Sequence, residues 1–239
     1  MNTTSLGNVL KSALLAGLAA ALAAAAFHAV ITEPVIDQAI AIEEQRSAAI
    51  GQPVGEALVS RDMQRVGLWI GFLMYGFSWA LLFGALYYLA QRWLPGADAS
   101  KQGLVLALLG YWAIGLMPFL KYPANPPGVG DPVTIGYRQN LYFGLLAITL
   151  MGAGLSVALN RYLSRSMNGS KTSWLTLVFL AVFSGVVYLA MPGNPDPVQM
   201  PESLLTNFRV LSLVGVTLFW GVLGLGFARF VRSSTVRQA

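Results

Sequence analysis

Long apolar runs separated by polar segments cover most of the chain. An α-helix needs about 20 apolar residues to cross the hydrocarbon core of a membrane, and six runs reach that length. They lie at about residues 12–32, 66–90, 102–120, 140–162, 173–191 and 207–230. The pattern predicts an all-α, polytopic membrane protein with six transmembrane helices in a single domain over residues 1–239.

The composition supports this class and narrows the function. Of the 239 residues, 56% are hydrophobic and 10% are charged, whereas roughly a quarter are charged in a soluble domain. The chain has no cysteine and a single histidine, His28, which excludes disulfide frameworks, thiolate metal sites and cysteine nucleophiles. Nucleotide-binding loops, nucleophile elbows and HExxH motifs are also absent from the sequence. We therefore predict that the protein is not an enzyme and holds no tightly bound cofactor.

The first apolar run allows two interpretations. Lys11 is a basic flank and residues 24–26 are small alanines, as in a cleaved signal peptide. The run of about 20 residues is longer than the ~7–15 apolar residues of a signal peptide, which favours an uncleaved helix. Apolar and acidic residues interleave after Pro34, so we expect this helix to bend there and continue as an amphipathic, acidic extension.

Basic and acidic residues fall on opposite sides of the predicted helices. Most basic residues lie at the chain ends and in the two short loops, where Asp98 is the one acid. The other nine of the ten acids lie in three longer loops, 33–65, 121–139 and 192–206. Because lysine and arginine favour the cytoplasmic side, we expect cytoplasmic termini and exterior long loops. This orientation also explains the net charge of +5, so binding to nucleic acid is not expected.

The helices are predicted to form three hairpins whose long loops share one side. The second and third loops repeat a proline-rich motif, Pro-Ala-Asn-Pro at 123–126 and Pro-Gly-Asn-Pro at 192–195. Each motif is followed by an Asp-Pro step, at Asp131 and at Asp196. The repetition predicts a parallel internal repeat of helix pairs.

Seven residues of the first helix and the long loops are candidate ligands for a divalent cation. Carboxylate and amide oxygens bind hard or borderline cations, and imidazole binds borderline ones. Glu33 and Asp37 share one face if the first helix continues past Pro34. The candidates are His28, Glu33, Asp37, Asn125, Asp131, Asn194 and Asp196.

A plainer interpretation of the same residues stays open. Asx-Pro steps shape turns and exterior acids are often only solvated. His28 is a functional candidate because ionisable groups at membrane depth are costly, but the interpretation as a hydrogen-bonded packing residue is the favoured one.

An arginine begins the returning helix of each hairpin, at Arg65, Arg138 and Arg209. A cation at a helix N-terminus is unfavourable with the helix dipole, so each is expected to pair with a nearby acid, Asp62, Asp131 or Glu202. These arginines and Asp62 form a predicted structural ion-pair clamp. Direct binding of an anion is the alternative.

Several motifs resemble the CbtA-type predicted cobalt transporter subunits. They are Leu-Lys-Tyr-Pro-Ala-Asn-Pro-Pro at 120–127, Val-Gly-Asp-Pro at 129–132, Thr-Ile-Gly-Tyr-Arg at 134–138, Glu-Pro-Val-Ile at 33–36, Ser-Arg-Asp at 60–62 and Phe-Arg at 208–209. The resemblance covers nearly the whole chain and implies a bacterial inner-membrane protein that acts in cobalt uptake. It also implies a small single-helix partner of the CbtB type. The loop at 43–59 has no histidine here, unlike the histidine-rich loop of many relatives, so metal capture by that loop is not expected.

The sequence thus predicts a membrane permease subunit for uptake of a divalent cation, with cobalt as the transported ion. In this hypothesis the exterior acidic and proline-rich loops form the ion entrance. The alternative is a non-transport membrane scaffold or assembly subunit that docks a partner through its acidic loops. The lipid bilayer is the expected environment, and self-association into a homo-oligomer is left open.

Overall fold

The computed structural model describes residues 4–49, 51, 59–127, 129–196, 198 and 200–236. Regular structure in these ranges is helical, which confirms the all-α class. Six helices in the described part are long and apolar enough to cross a membrane, as predicted. Their bounds are Leu6–Ala49 (α1), Arg61–Ala90 (α2), Ala99–Lys121 (α3), Ile135–Leu163 (α4), Gly169–Ala190 (α5) and Glu202–Val236 (α6). Part of the predicted 43–59 segment, residues 52–58, lies outside the described residues, as do 197 and 199.

Helices α2, α3 and α5 begin a few residues before their apolar runs, each at a polar residue that caps the helix. Ser60 accepts a hydrogen bond from Met63 N at the start of α2, and Asn168 accepts one from Lys171 N at the start of α5. Such N-caps satisfy amide groups that the helix leaves unpaired. The extension of α1 past Pro34, over Glu33–Ala49, is helical as predicted.

Two helices contain a π-helical turn close to a proline. In α1 the turn covers His28–Thr32 and precedes Pro34, and in α3 it covers Tyr111–Leu116 and precedes Pro118. Each turn thus ends two residues before its proline. A proline lacks the amide donor and crowds the carbonyl four residues earlier, and a local π turn lets the helix continue through it.

Helix α1 lies at the centre of the main core, between α2 and α6. Its inner face is a row of fully buried alanines, among them Ala16 and Ala20. Small residues let the helices approach closely: a Cβ added at Gly17 would lie 2.6 Å from Gly76 O on α2. Large side chains of α6, such as Phe227, fill the remaining space.

The other helices are arranged around α6 and α3. Helix α3 packs along α6, whereas α4 and α5 pack on each other and contact the α3 turn at Tyr111–Leu116. Consecutive helices are therefore not always the closest neighbours, because α6 lies against α1 and α3. This arrangement brings the second and third long loops together at one end of the molecule.

Candidate functional site

The first long loop contributes a cluster of four charged side chains. Arg61 Nη2 lies 2.7 Å from Glu33 Oε2 and 2.7 Å from Asp37 Oδ1. Arg65 lies 3.1 Å from Asp37 Oδ2 and 3.5 Å from Glu33 Oε2. Glu33 and Asp37 do share one face of α1, as their spacing predicts, but two guanidinium groups neutralise them.

The predicted pairing of Arg65 with Asp62 is the weakest contact of this cluster. The two groups are 3.7 Å apart, and the Asp62 side chain is 95% exposed. Arg65 reaches Glu33 and Asp37 because α1 continues as a helix beside the start of α2. The clamp of the first hairpin therefore joins α1 to α2 and is not local to the loop.

His28 lies one helical turn before this cluster, within the π turn of α1. Its Nδ1 is 2.9 Å from Thr32 Oγ1, and its ring stacks on Phe72 of α2 with the centroids 5.2 Å apart. A Cβ added at Gly215 of α6 would overlap His28 Nε2. The imidazole thus lies between three helices, in contact with a position that only glycine can occupy without a shift.

A cavity of about 430 Å³ opens at this point between α1, α2 and α6. His28 and Tyr75 are the ionisable residues of its lining. The other lining residues are apolar or glycine, among them Gly71 and Gly215. Glu33 is buried and begins the next turn of α1. Going back along α1 from Glu33, a carboxylate is therefore followed by the Thr32 hydroxyl and then by the His28 imidazole.

Both π turns contact the same short stretch of α6. His28 of the first turn meets Gly215, and Tyr111 of the second turn is 2.8 Å from Thr217 Oγ1 through its hydroxyl. A Cβ added at Gly115, also in the second turn, would lie 2.7 Å from Val216. Residues 215–217 of α6 are therefore held between the two irregular turns.

The second and third long loops meet at Asp196. Its carboxylate accepts hydrogen bonds from Thr134 Oγ1 at 2.8 Å and from Asp131 N at 3.0 Å. Arg138 Nε lies 3.1 Å from Asp196 Oδ2. These donors all belong to the second loop or the start of α4, so one buried carboxylate joins the two proline-rich loops.

This environment lowers the pKa of Asp196. Burial alone would raise the pKa, but the hydrogen bonds from Thr134 and from the amide of Asp131 lower it, together with the charge of Arg138. The net shift is downward, so the carboxylate is held in its charged form.

Reciprocal contacts strengthen this junction. Arg209 at the start of α6 donates from Nη2 to Asn125 Oδ1 at 2.8 Å. The Tyr122 hydroxyl donates to Pro192 O at 2.8 Å, and Lys121 Nζ donates to Tyr188 O at 2.8 Å. The arginine of each repeat therefore binds the loop of the other repeat.

Arg138 and Arg209 have other partners than those that sequence proximity suggested. Arg138 pairs with Asp196, because Asp131 directs its carboxylate to Val133 N, 2.8 Å away, and caps the turn before α4. Only the backbone carbonyl of Asp131 accepts from Arg138. Arg209 binds Asn125, where Glu202 was expected.

An open pocket of about 460 Å³ lies at the junction. Its lining includes Asn125, Asn194 and Arg138, together with Tyr122 and Tyr142. The oxygens of the two asparagines already accept hydrogen bonds, from Arg209 and from Asp196 N respectively. This geometry favours shaped Asx turns over a preformed cation site at the loops.

The candidate ligands are thus split between two places. Within the described ranges, no group of three or more His, Cys, Asp or Glu side chains is placed to hold a metal ion. His28, Glu33 and Asp37 lie along α1, whereas Asn125, Asp131, Asn194 and Asp196 lie at the proline-loop junction. In the first set His28 lines a cavity between helices while Glu33 and Asp37 pair with arginines, and the second set holds two loops together.

Sequence reasoning gave no role at these sites to two residues, Thr134 and Gly215. Thr134 stands in the motif at 134–138 and binds Asp196, but a threonine gives no chemical signal of its own. Gly215 was noticeable only as one of many glycines in an apolar helix, since the contact with His28 spans 187 positions along the chain.

One comparison with known proteins gives a match. The sequence model of the CbtA family, described as a probable cobalt transporter subunit, matches residues 6–232. No curated protein and no solved structure matches the chain. The matched range includes both sites described above and all six helices except the last four residues of α6.

Proposed function

The chain belongs to the CbtA family of probable cobalt transporter subunits, and we propose that it is the permease subunit through which Co²⁺ crosses the membrane. The ion would enter at the first long loop, pass Glu33 and Asp37, and reach His28 in the cavity between α1, α2 and α6. Both termini would be cytoplasmic in the inner membrane, with the long loops outside. The family description names a subunit, which implies a partner, and a small single-helix protein is the partner we propose.

The observation that carries this proposal is the placement of His28. An imidazole that lines a cavity of about 430 Å³ between three helices precedes two carboxylates on the same helix. Cobalt is a borderline cation that accepts both imidazole nitrogen and carboxylate oxygen. Ionisable residues inside membrane proteins commonly mark ion pathways.

The small number of ligands is compatible with transport. An ion that must leave again needs a site that binds weakly, often with waters in the remaining positions. Arg61 and Arg65 compete with the cation for Glu33 and Asp37, which further weakens binding. The sequence contains no nucleotide-binding motif, so ion movement would follow an existing gradient.

The proline-rich loops have a supporting role in this proposal. The Asp196 junction fixes the exterior ends of α3, α4, α5 and α6 relative to one another. Of the two matched aspartates, Asp131 is exposed to solvent and Asp196 is buried. Asp131 would attract cations to the exterior surface, while Asp196 holds the loops in place.

Cobalt accumulation in cells that express the protein tests this proposal. His28→Gln keeps a polar side chain but removes the imidazole, and we expect uptake to fall by at least about tenfold, since even outer-shell partners of a metal ligand contribute 10–100-fold. Thr32→Val removes only the hydrogen bond to His28 and should reduce uptake less. Whole-cell elemental analysis gives the readout, with protein abundance measured in parallel. Unchanged uptake in His28→Gln at normal abundance would exclude this residue from the path.

A scaffold function is the second candidate, and one observation favours it. The carboxylates of Glu33, Asp37 and Asp196 are already paired with arginines, as in a structural framework. Purified protein in liposomes that contain a metal-sensitive dye separates the two candidates. Absence of Co²⁺ flux, with and without a single-helix partner, would support the scaffold.

A further inference from the structure

A wide groove lies at the opposite end of the molecule from the proline loops. Its volume is about 770 Å³, and it runs between α2 and α4 with α3 and Trp220 of α6 behind it. The lining is almost entirely apolar, and several of its side chains, such as Leu82 and Leu86, are more than half exposed. The groove therefore opens sideways, toward the lipid.

The groove ends in a group of basic and amphipathic side chains. Arg161, Tyr162 and Arg165 of α4 and the following turn lie there, opposite Trp93 after α2. Tryptophan and tyrosine favour the level of the lipid headgroups. This end carries the termini of both helices, so it marks the membrane surface.

The two arginines have no acidic partner among the described residues. Arg161 donates to the carbonyl oxygen of Arg92 at 3.5 Å, and no described carboxylate lies within 4 Å of either guanidinium group. Arginine binds phosphate oxygens in a bidentate manner. Basic pockets between transmembrane helices on one membrane side are typical sites for anionic lipid headgroups.

The length of the groove indicates what occupies it. Its lining runs from Trp79 to Trp93 on the α2 side and from Leu150 to Arg165 on the α4 side, which is roughly 21 Å at 1.5 Å per residue. The hydrocarbon core of a membrane is about 30 Å thick, so one leaflet takes about half of that. The groove thus covers about two thirds of the core, which is too short for a complete transmembrane helix and suits an acyl chain better.

We propose that this groove, lined by Trp79, Leu86, Ile114 and Val157 and closed at its end by Arg161 and Arg165, is a binding site for one anionic phospholipid. The acyl chains lie along the apolar walls and the phosphate binds the two arginines. The site is separate from the ion path proposed above, which lies between α1, α2 and α6, although Trp220 lines both.

Two pairs of variants test the two parts of the site. Arg161→Gln with Arg165→Gln removes the charge, and Lys101→Gln with Lys171→Gln removes two exposed charges outside the groove as the matched control. Gly154→Phe fills the groove at a position where an added side chain meets open space. Gly144→Phe makes the same change on the same helix outside the groove, also in open space.

The measurement is native mass spectrometry of the purified protein with equal amounts of phosphatidylglycerol and phosphatidylcholine. We expect wild type to retain one phosphatidylglycerol preferentially, and the double arginine variant to retain about tenfold less, as expected for loss of charge-assisted hydrogen bonds. Gly154→Phe should lower retention of both lipids, and both controls should behave as wild type. Quenching of Trp79, Trp93 and Trp220 fluorescence by brominated phosphatidylglycerol gives a second readout in nanodiscs.

Three results would overturn the proposal. They are equal retention of both lipids by wild type, unchanged retention by the double arginine variant, and a co-purifying polypeptide or second copy that occupies the groove in place of lipid. Size-exclusion chromatography of each variant distinguishes loss of the site from loss of the fold. If Gly154→Phe does not fold, the double arginine variant and its lysine control decide the question alone.

Discussion

A single missing side chain, at Gly215, determines where the His28 imidazole can lie. The ring stacks on Phe72 on one side and approaches the α6 backbone at Gly215 on the other. Any side chain at 215 would have to displace the imidazole or the helix. The His28 imidazole of α1 is therefore positioned by a residue of α6 that has no side chain of its own.

Gly215→Ala should destabilise the protein and displace His28. Overpacking of a close contact costs about 1–3 kcal/mol, and we expect a lower melting temperature together with reduced cobalt uptake. Gly221→Ala on the same helix is the matched control, because its added Cβ meets open space. Thermal unfolding in detergent measures the stability change. Equal effects of the two substitutions would contradict the contact with His28.

The two matched aspartates also differ at the residue scale. Asp131 is exposed and caps a turn, whereas Asp196 is buried and receives donors from Thr134, Asp131 and Arg138. The sequence predicts their equivalence from the repeated Asp-Pro step. The sequence does not show that one is exposed and the other buried, since the groups that bind Asp196 come from a loop more than 55 positions earlier.

The lowered pKa of Asp196 predicts a pH dependence of stability. A group whose pKa is lower in the folded state stabilises the fold above its unfolded pKa, about 3.9 for aspartate, and the contribution is lost as the pH falls through the folded-state pKa. Asp196→Asn should therefore lower the melting temperature at pH 7, and the difference from wild type should shrink below pH ~4. Asp131→Asn is the control and should have a smaller effect at pH 7. A difference between wild type and Asp196→Asn that does not change down to pH ~3 would contradict the ion pair.

At the scale of elements, the two proline-rich loops exchange their arginines. Arg138 of the second hairpin binds Asp196 of the third, and Arg209 of the third hairpin binds Asn125 of the second. Gly130 allows this arrangement, because its φ of +110° and its contact with the Arg138 guanidinium exclude a side chain. The repeat is visible in the sequence, but the exchange is a property of two loops in contact.

A double-mutant cycle tests the exchange. The double variant Asp196→Asn with Arg138→Gln should lower the melting temperature by less than the sum of the two single substitutions. The reason is that Asp196→Asn already removes the charged partner of Arg138. Asp131→Asn combined with Arg138→Gln should be additive, since the Asp131 carboxylate binds Val133 N instead. The opposite result, in which Asp196 and Arg138 are additive and Asp131 and Arg138 are not, would support pairing of Arg138 with Asp131.

The sequence predicts the helices better than their irregular turns. Hydropathy locates all six spans, and the acidic pattern after Pro34 correctly predicts that α1 continues. The π turns at His28–Thr32 and Tyr111–Leu116 were not predicted, because a proline in an apolar run is compatible with a bend, a break or a local π turn. Packing against residues 215–217 of α6 distinguishes these outcomes, and the local sequence does not.

At the scale of the whole molecule, hairpin order differs from spatial order. Helix α6 lies between α1 and α3, whereas α4 and α5 form a pair at the edge. Gly215 and Gly224 of α6 each meet a neighbouring helix, whereas Gly67, Gly71 and Gly221 face open space. Small residues permit a close approach without specifying the partner, so the sequence could not supply this order.

The charge distribution makes the last prediction, which concerns orientation. Arg161, Arg165 and Lys171 flank the α4–α5 turn, whereas Asp131 and Asp196 lie at the other end of these helices. Basic residues near helix ends are retained on the cytoplasmic side, so the proline loops should be exterior. The chain has no cysteine, and each introduced cysteine is therefore a unique probe. Val133→Cys, at a position 91% exposed in the proline loop, should react with a membrane-impermeant maleimide in intact cells. Ser166→Cys, in the α4–α5 turn, should react only after permeabilisation. The opposite labelling result would mean that the orientation is reversed. Glu33 and Asp37 would then lie toward the inner side, where they would serve the release of an ion and not its capture.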